Sequence, residues 1–216
     1  MSKKTWAIIL IIGLLLNLTI AWAAGELVIT APRGGELDLQ QKIMKYHGSD
    51  SQLVEVRWKD AAPGTAPLEQ KKQGNTARNA SLPRVLKAVE LTVNLNQNYL
   101  LANKKVSLYY DESTSVTCNT LEWDRGTALM KLFGQVTIEY KDWTIKGSRV
   151  ESQLERGLFT VYGPVEAFNK QNTIRGGKLI FDRGSSKAVI SDNALLIRGK
   201  NEMAAVMRIV HHFQKQ

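Results

Sequence analysis

The chain has 216 residues, 44% of them apolar and 7% aromatic, and a formal net charge of +9; this is an ordinary globular composition, enough for one or two domains with a buried core. Its one cysteine, Cys118, excludes an internal disulfide framework and any cysteine-rich zinc site. A basic surface suits nucleic acid, anionic lipid or acidic glycan.

Residues 1–24 carry an export signature, which sets nucleic acid aside as a partner. Lys3 and Lys4 make a positive start, Trp6 to Ile20 is almost unbroken apolar sequence, and Ala21-Trp-Ala23 followed by Ala24 fits a secretory cleavage site. Trp6 to Ala24 also comes close to the roughly 20 residues that span a bilayer, so an uncleaved anchor fits the same stretch. On either reading the rest of the chain faces the far side of a membrane.

Residues 25–60 read as an N-terminal β segment. Leu27 to Ala31, Leu37 to Leu39 and Leu53 to Trp58 are short strand patterns, with turn chemistry at Pro32-Arg-Gly-Gly35. Residues 61–83 change character, with small, polar and charged residues and no apolar period. Such sequence cannot bury enough surface to offset chain entropy, so a flexible loop or linker is expected. From Leu86 to Tyr110 the alternation resumes, with a turn at Asn96-Gln-Asn98.

One pattern is then written twice. Gly134-Gln-Val136-Thr-Ile138 with Ile145-Lys-Gly147-Ser-Arg-Val150 returns, 29 positions later, as Gly163-Pro-Val165-Glu-Ala167 with Ile174-Arg-Gly176-Gly-Lys-Leu179. The same offset carried backwards lands on Val116, Cys118 and Leu121, and carried forwards on Ala194 and Leu196. Fixed-period self-similarity of this length signals a stacked architecture. Within each unit apolar residues recur every second position, so each unit is a strand, a bend at glycine, a turn and a second strand. Beyond residue 200, Met203, Val206, Met207 and Val210 follow helical spacing behind Asn201 as N-cap, which predicts a short amphipathic helix over 201–216.

Gly-x-Val-x-Ile, a polar stretch, Ile-x-Gly-x-x-Val and the next Gly-x-Val together resemble the OstA-like domain of periplasmic lipopolysaccharide-transport proteins, the LptA and LptC family. The resemblance spans Ser115 to Lys200 and extends in weaker form to Glu26 to Trp58. It implies an all-β fold over residues 84–200, an elongated, open antiparallel β-jellyroll whose apolar inside holds acyl chains. It also implies a periplasmic carrier or bridge for lipopolysaccharide or a related glycolipid. Its partners would be other jellyroll transport proteins, or further copies of the chain, joined by edge-strand pairing. If residues 1–24 stay attached, the implied role is an inner-membrane docking protein of the LptC type.

In such a sheet the expected slot residues are Leu132, Val136, Ile138, Ile145, Val150, Phe159, Val161, Val165, Ile174, Leu179, Phe181 and Ile190. The competing reading makes them plain core, as in a structural β-repeat module of the cell envelope without lipid. Lys146 and Arg149 recur as Arg175 and Lys178, cations suited to head-group phosphates; the alternative is a solvated face balanced by acids such as Glu151. Cys118 falls in the column of Gly147 and Gly176, a column that calls for small residues. His211 and His212 have no partner at ligand spacing, so no metal is expected, and no cofactor. Hydrolase, phosphate-loop and zinc-protease motifs are absent, and no enzyme activity is expected.

Overall fold

The computed structural model describes residues 18–22, 25–59, 83–153, 156–198, 201–204 and 208–212. Seven strands precede the repeats: β1 (Leu18–Trp22), β2 (Gly25–Thr30), β3 (Gly35–Asp38), β4 (Ile43–His47), β5 (Val54–Lys59), β6 (Val85–Ala88) and β7 (Glu90–Asn94). Six long strands follow: β8 (Tyr99–Asp111), β9 (Thr114–Asp124), β10 (Leu129–Tyr140), β11 (Trp143–Gln153), β12 (Leu158–Phe168) and β13 (Asn172–Asp182). The chain closes with β14 (Lys187–Ser191), β15 (Leu195–Arg198), β16 (Asn201–Ala204) and β17 (Arg208–His212). All of them belong to one antiparallel sheet curled into an open β-jellyroll.

The curl follows from a row of bulges. From β8 to β13 each strand pairs with the next as a hairpin, and each of the five pairings slips register at the same level: between Asn103 and Val106, Phe133 and Thr137, Phe133 and Val136, Lys146 and Arg149, and Tyr162 and Val165. A bulge bends its strand and sharpens the local twist, so bulges aligned across neighbouring strands fold the whole sheet along one line, the spine. Gly134 (φ 75°) and Gly163 (φ 92°) lie in the left-handed region there, and Lys104, Lys105, Gln135, Asp192 and Asn193 share it.

The spine divides the sheet into two arms. At the N-terminal end β8 pairs with β7 along one arm and with β6 along the other, and at the C-terminal end β13 pairs with β14 along one and β15 along the other. The first arm runs from β3 to β17 and the second from β1 to β16. Alternation points the apolar residues of both arms inward. Register places Leu100, Trp123, Met130, Ser152, Phe159, Phe181 and Ala188 in one row of the first arm, with Ala102, Leu121, Leu132, Val150, Val161, Leu179 and Ile190 beside it, nearer the spine. On the second arm Leu108, Val116, Ile138, Ile145, Ala167 and Ile174 form a matching row. These rows are the core.

Two expectations are corrected or extended. The helix predicted over 201–216 is not found: Asn201–Ala204 and Arg208–His212 are strands, and residues 205–207 and 213–216 lie outside the described residues. β14 and β15 each offer an unpaired backbone edge, which β17 and β16 fill, whereas a helix this short is marginal on its own. Residues 25–59 carry one strand more than the sequence patterns indicate, β4, and they enter the same sheet through β5 on β6 and β4 on β7. Residues 1–17 and 60–82, the sites of the expected export segment and linker, lie outside the described residues, while Leu18–Trp22 pairs with β2.

Candidate functional site: the interior between the arms

All twelve expected slot residues point into the space between the arms. Leu132, Val136, Ile138, Ile145, Val150, Phe159, Val161, Val165, Ile174, Leu179, Phe181 and Ile190 are each no more than 2% exposed. At the spine this close approach needs small residues. A Cβ on Gly147 would stand 2.3 Å from Val161 Cγ1, and one on Gly176 2.5 Å from Ile190 Cγ2. Cys118 occupies the same column, opposite Val106 as Gly147 is opposite Val136. Its Sγ donates to the Thr120 carbonyl at 3.4 Å, and burial pushes the thiol up to about 12, which makes it an inert small core residue.

Opposite the spine, the free rims of the arms meet along a mouth closed by aromatic side chains. Trp58 of the second arm meets Trp123 of the first at 5.5 Å, Tyr110 meets Phe159 edge-on at 5.7 Å, and Tyr140 meets Phe181 at 4.7 Å. Phe159 stacks on Phe181 at 5.9 Å, which joins two of the pairs into one seam. Aromatic pairs at such separations contribute about 0.5–1.5 kcal/mol each beyond their buried area. The Tyr140 hydroxyl also shares a 2.7 Å hydrogen bond with Ser186 Oγ, and Lys141 Nζ donates to the same oxygen at 3.2 Å. Among the described residues, no backbone hydrogen bond links one rim to the other.

Cations cap this seam. The Arg125 guanidinium lies 5.4 Å over the Trp123 ring, Arg183 reaches across the mouth to 5.0 Å over Tyr110, and Lys141 sits 4.9 Å over Tyr140. Burial lowers Arg125 to about 10 and pushes the Tyr110 phenol upward. Both arginines follow an aspartate in a hairpin turn. Asp124 accepts from the Gly126 N–H at 2.8 Å, and Asp182 accepts from the Gly184 N–H at 2.9 Å and the Ser185 hydroxyl at 2.7 Å.

The four expected head-group cations are elsewhere. Lys146, Arg149, Arg175 and Lys178 lie on the outer face near the spine, with the sheet between them and the interior. Arg175 pairs with Glu166 at 2.8 Å and Arg149 with Glu151 at 3.6 Å. Arg149 and Lys178 flank the Tyr162 ring at 4.4 and 5.6 Å, while Lys146 stands 5.2 Å over Phe168. Beside them a shallow outer groove of about 780 Å³ runs along the spine, lined by Lys105, Thr117, Asn119, Gln135, Lys146 and Ser148.

The sequence reading missed the mouth. Its signal was present, because Asp124-Arg-Gly-Thr127 returns as Asp182-Arg-Gly-Ser185 at 58 positions, twice the repeat, with Glu155-Arg-Gly157 between them. Among the described residues no three His, Cys, Asp or Glu side chains converge as a metal site would require, and no helix is long and apolar enough to cross a membrane.

No protein-family model and no curated protein matches the chain. Among solved structures the chain is similar to LptH of Pseudomonas aeruginosa, the LptA-homologous periplasmic component of a lipopolysaccharide transport device, at 13% identity and a TM-score of 0.42, over 58% of this chain and 93% of that one.

Proposed function

We propose that the chain is an exported carrier or bridge that shields the acyl chains of lipopolysaccharide or a related glycolipid between the two arms of its sheet, in the periplasm. One observation carries the reading: among the described residues, backbone hydrogen bonds join the arms along the spine and none joins their rims, where side chains hold the mouth shut. A sheet held in this way can part its rims without breaking a strand ladder. Each CH₂ of an acyl chain transferred to the exposed interior contributes about 0.8 kcal/mol, so a lipid with several chains offsets the loss of the aromatic seam. No chemical step and no cofactor are needed.

The ends of the sheet support the bridging part of the reading. Leu37 and Leu39, at and beside the edge strand β3, are 57% and 77% exposed, and Val210 on the edge strand β17 is 47% exposed. Strand edges that keep apolar residues in water suit pairing with another jellyroll or a second copy of the chain.

A structural module without lipid is the second reading, favoured by the near-complete burial of the twelve interior residues. Native mass spectrometry of the chain purified from a host with an outer membrane, then mixed with purified lipopolysaccharide, separates the two. A bound glycolipid species supports the carrier. Lipid-free protein after incubation leaves the structural module.

A further inference from the structure

We propose that Arg125 and Arg183 are the anionic head-group site of this carrier, each taking a phosphoryl group of an amphiphile whose chains lie between the arms. The inference rests on the carrier reading and adds to it a site on a different face from the cations that the repeat offset singles out.

Placement is the first argument. An amphiphile with its chains in the interior emerges at the mouth, and these two guanidiniums lie on the mouth, over Trp123 and Tyr110. Lys146, Arg149, Arg175 and Lys178 sit on the outer face, where the sheet separates them from the interior, and Arg149 and Arg175 are already neutralised by Glu151 and Glu166.

Charge is the second. Arg183 makes no ion pair within 4 Å of any described residue; its charge reaches the Asp111 carboxylate and helps to lower its pKa, but its Nη1 is buried without a hydrogen-bond acceptor. A buried cationic donor left unmatched is costly, and a phosphate oxygen would match it through the paired geometry that guanidinium favours. Asp182, next to Arg183, is turned back onto its own hairpin by the bonds from Gly184 and Ser185, and Asp124 is held in the same way by Gly126. The turn chemistry thus withdraws the Asp182 carboxylate from Arg183.

Repetition is the third. The motif recurs at twice the structural repeat, on the β9–β10 and β13–β14 turns of one rim. In each, the Arg N–H donates to the carbonyl of the preceding turn, Arg125 to Asn98 at 3.0 Å and Arg183 to Gly157 at 3.1 Å. Strands about 4.8 Å apart put these turns about 20 Å from each other. The two arginines are therefore separate stations along the mouth, and a lipid moving along the interior meets one and then the other.

The test titrates the purified full chain with dodecyl phosphate and with dodecyl maltoside, both below their micelle concentrations, by calorimetry. The chain should bind both and prefer the phosphate about tenfold, the effect of one charge-assisted contact. Arg125→Gln with Arg183→Gln should erase the preference, so that the variant binds the two amphiphiles equally, each single variant should lose part of it, and Arg149→Gln with Arg175→Gln should keep it whole. Melting curves establish that each variant is folded; if the double variant is not, the single variants decide. Maltoside binding without a phosphate preference, or with one that survives the rim substitutions or disappears with the outer-face pair, overturns the head-group site and leaves the slot standing. Binding of neither amphiphile overturns the carrier reading and the site together.

Discussion

The Tyr140 hydroxyl and Ser186 Oγ, 46 residues apart in sequence, meet at 2.7 Å across the mouth of the folded sheet. Tyr140 ends β10 on one arm and Ser186 belongs to the turn after β13 on the other, so this bond joins rims that no ladder joins among the described residues. Tyr140→Phe keeps the ring on Phe181 and removes the bond. The expected loss is about 1 kcal/mol in urea unfolding, with increased binding of a hydrophobic dye as the mouth loosens.

Interior and outer face should separate cleanly by truncation. Phe181 is fully buried and stacked on Phe159, whereas its neighbour Ile180 points outward and is 40% exposed. Phe181→Ala should cost about 3–5 kcal/mol and Ile180→Ala about 0.5 kcal/mol or less. Chemical denaturation of the two variants reads the difference, and equal losses would contradict the direction of the curl.

The glycine column makes a sharper test. In Gly147→Ala the new methyl meets Val161 Cγ1 at 2.3 Å and the Tyr162 carbonyl at 3.2 Å, so one arm must shift at the spine. Gly184→Ala, in an open turn, meets only Asp182 Oδ1 at 3.4 Å. The first should destabilise by about 1–3 kcal/mol, and the second should stay close to wild type in the same melting experiment.

That column was legible from the 29-residue offset alone, as were the inward rows, because a period of two and a fixed repeat determine which residues stack on neighbouring strands. Cys118 falls into line with Gly147 and Gly176 in the structure as in the sequence. The meeting of the arms was not legible. An in-strand pattern carries no information on which row of one arm faces which row of the other, and Tyr110 against Phe159 or Trp58 against Trp123 depends on the angle of the fold at the spine. The C-terminal segment misled for a related reason: Met203, Val206, Met207 and Val210 suit a helical wheel, but the unpaired edges of β14 and β15 draw Asn201–Ala204 and Arg208–His212 into strands.

Acid should weaken the arginine-bearing turns. A hydrogen bond from the Thr127 side chain, helped by the Gly126 and Thr127 N–H groups and opposed by slight desolvation, holds Asp124 below its ordinary value of 3.8. Asp182 is lowered in the same way, first by the Ser185 side chain. A carboxylate depressed in the folded state contributes stability that is fully present above its unfolded value and is lost as pH falls through the folded value. Urea midpoints should therefore drop as pH falls below about 4, and Asp124→Asn with Asp182→Asn should show a smaller drop over the same interval.

Cys118 reports on opening at the spine. Its thiol is 4% exposed and raised by burial to about 12, so reaction with a thiol reagent at neutral pH requires the sheet to unfold or the arms to part. Labelling should be slow in the native protein and complete in denaturant. Fast native labelling would contradict a closed spine.

A lipid slot between the arms requires that an acyl chain reach the interior. A variant that retains Trp123 as its one tryptophan, with Trp6, Trp22, Trp58 and Trp143 replaced by Phe, places a short-range reporter at the inner side of the mouth, where Trp123 is 4% exposed. Titration with 9,10-dibromostearate, with unbrominated stearate as the control, should quench that fluorescence to saturation, because bromine quenches only on contact. Unchanged Trp123 emission with the brominated chain, in a variant that melts as a folded protein, would contradict a lipid slot between the arms.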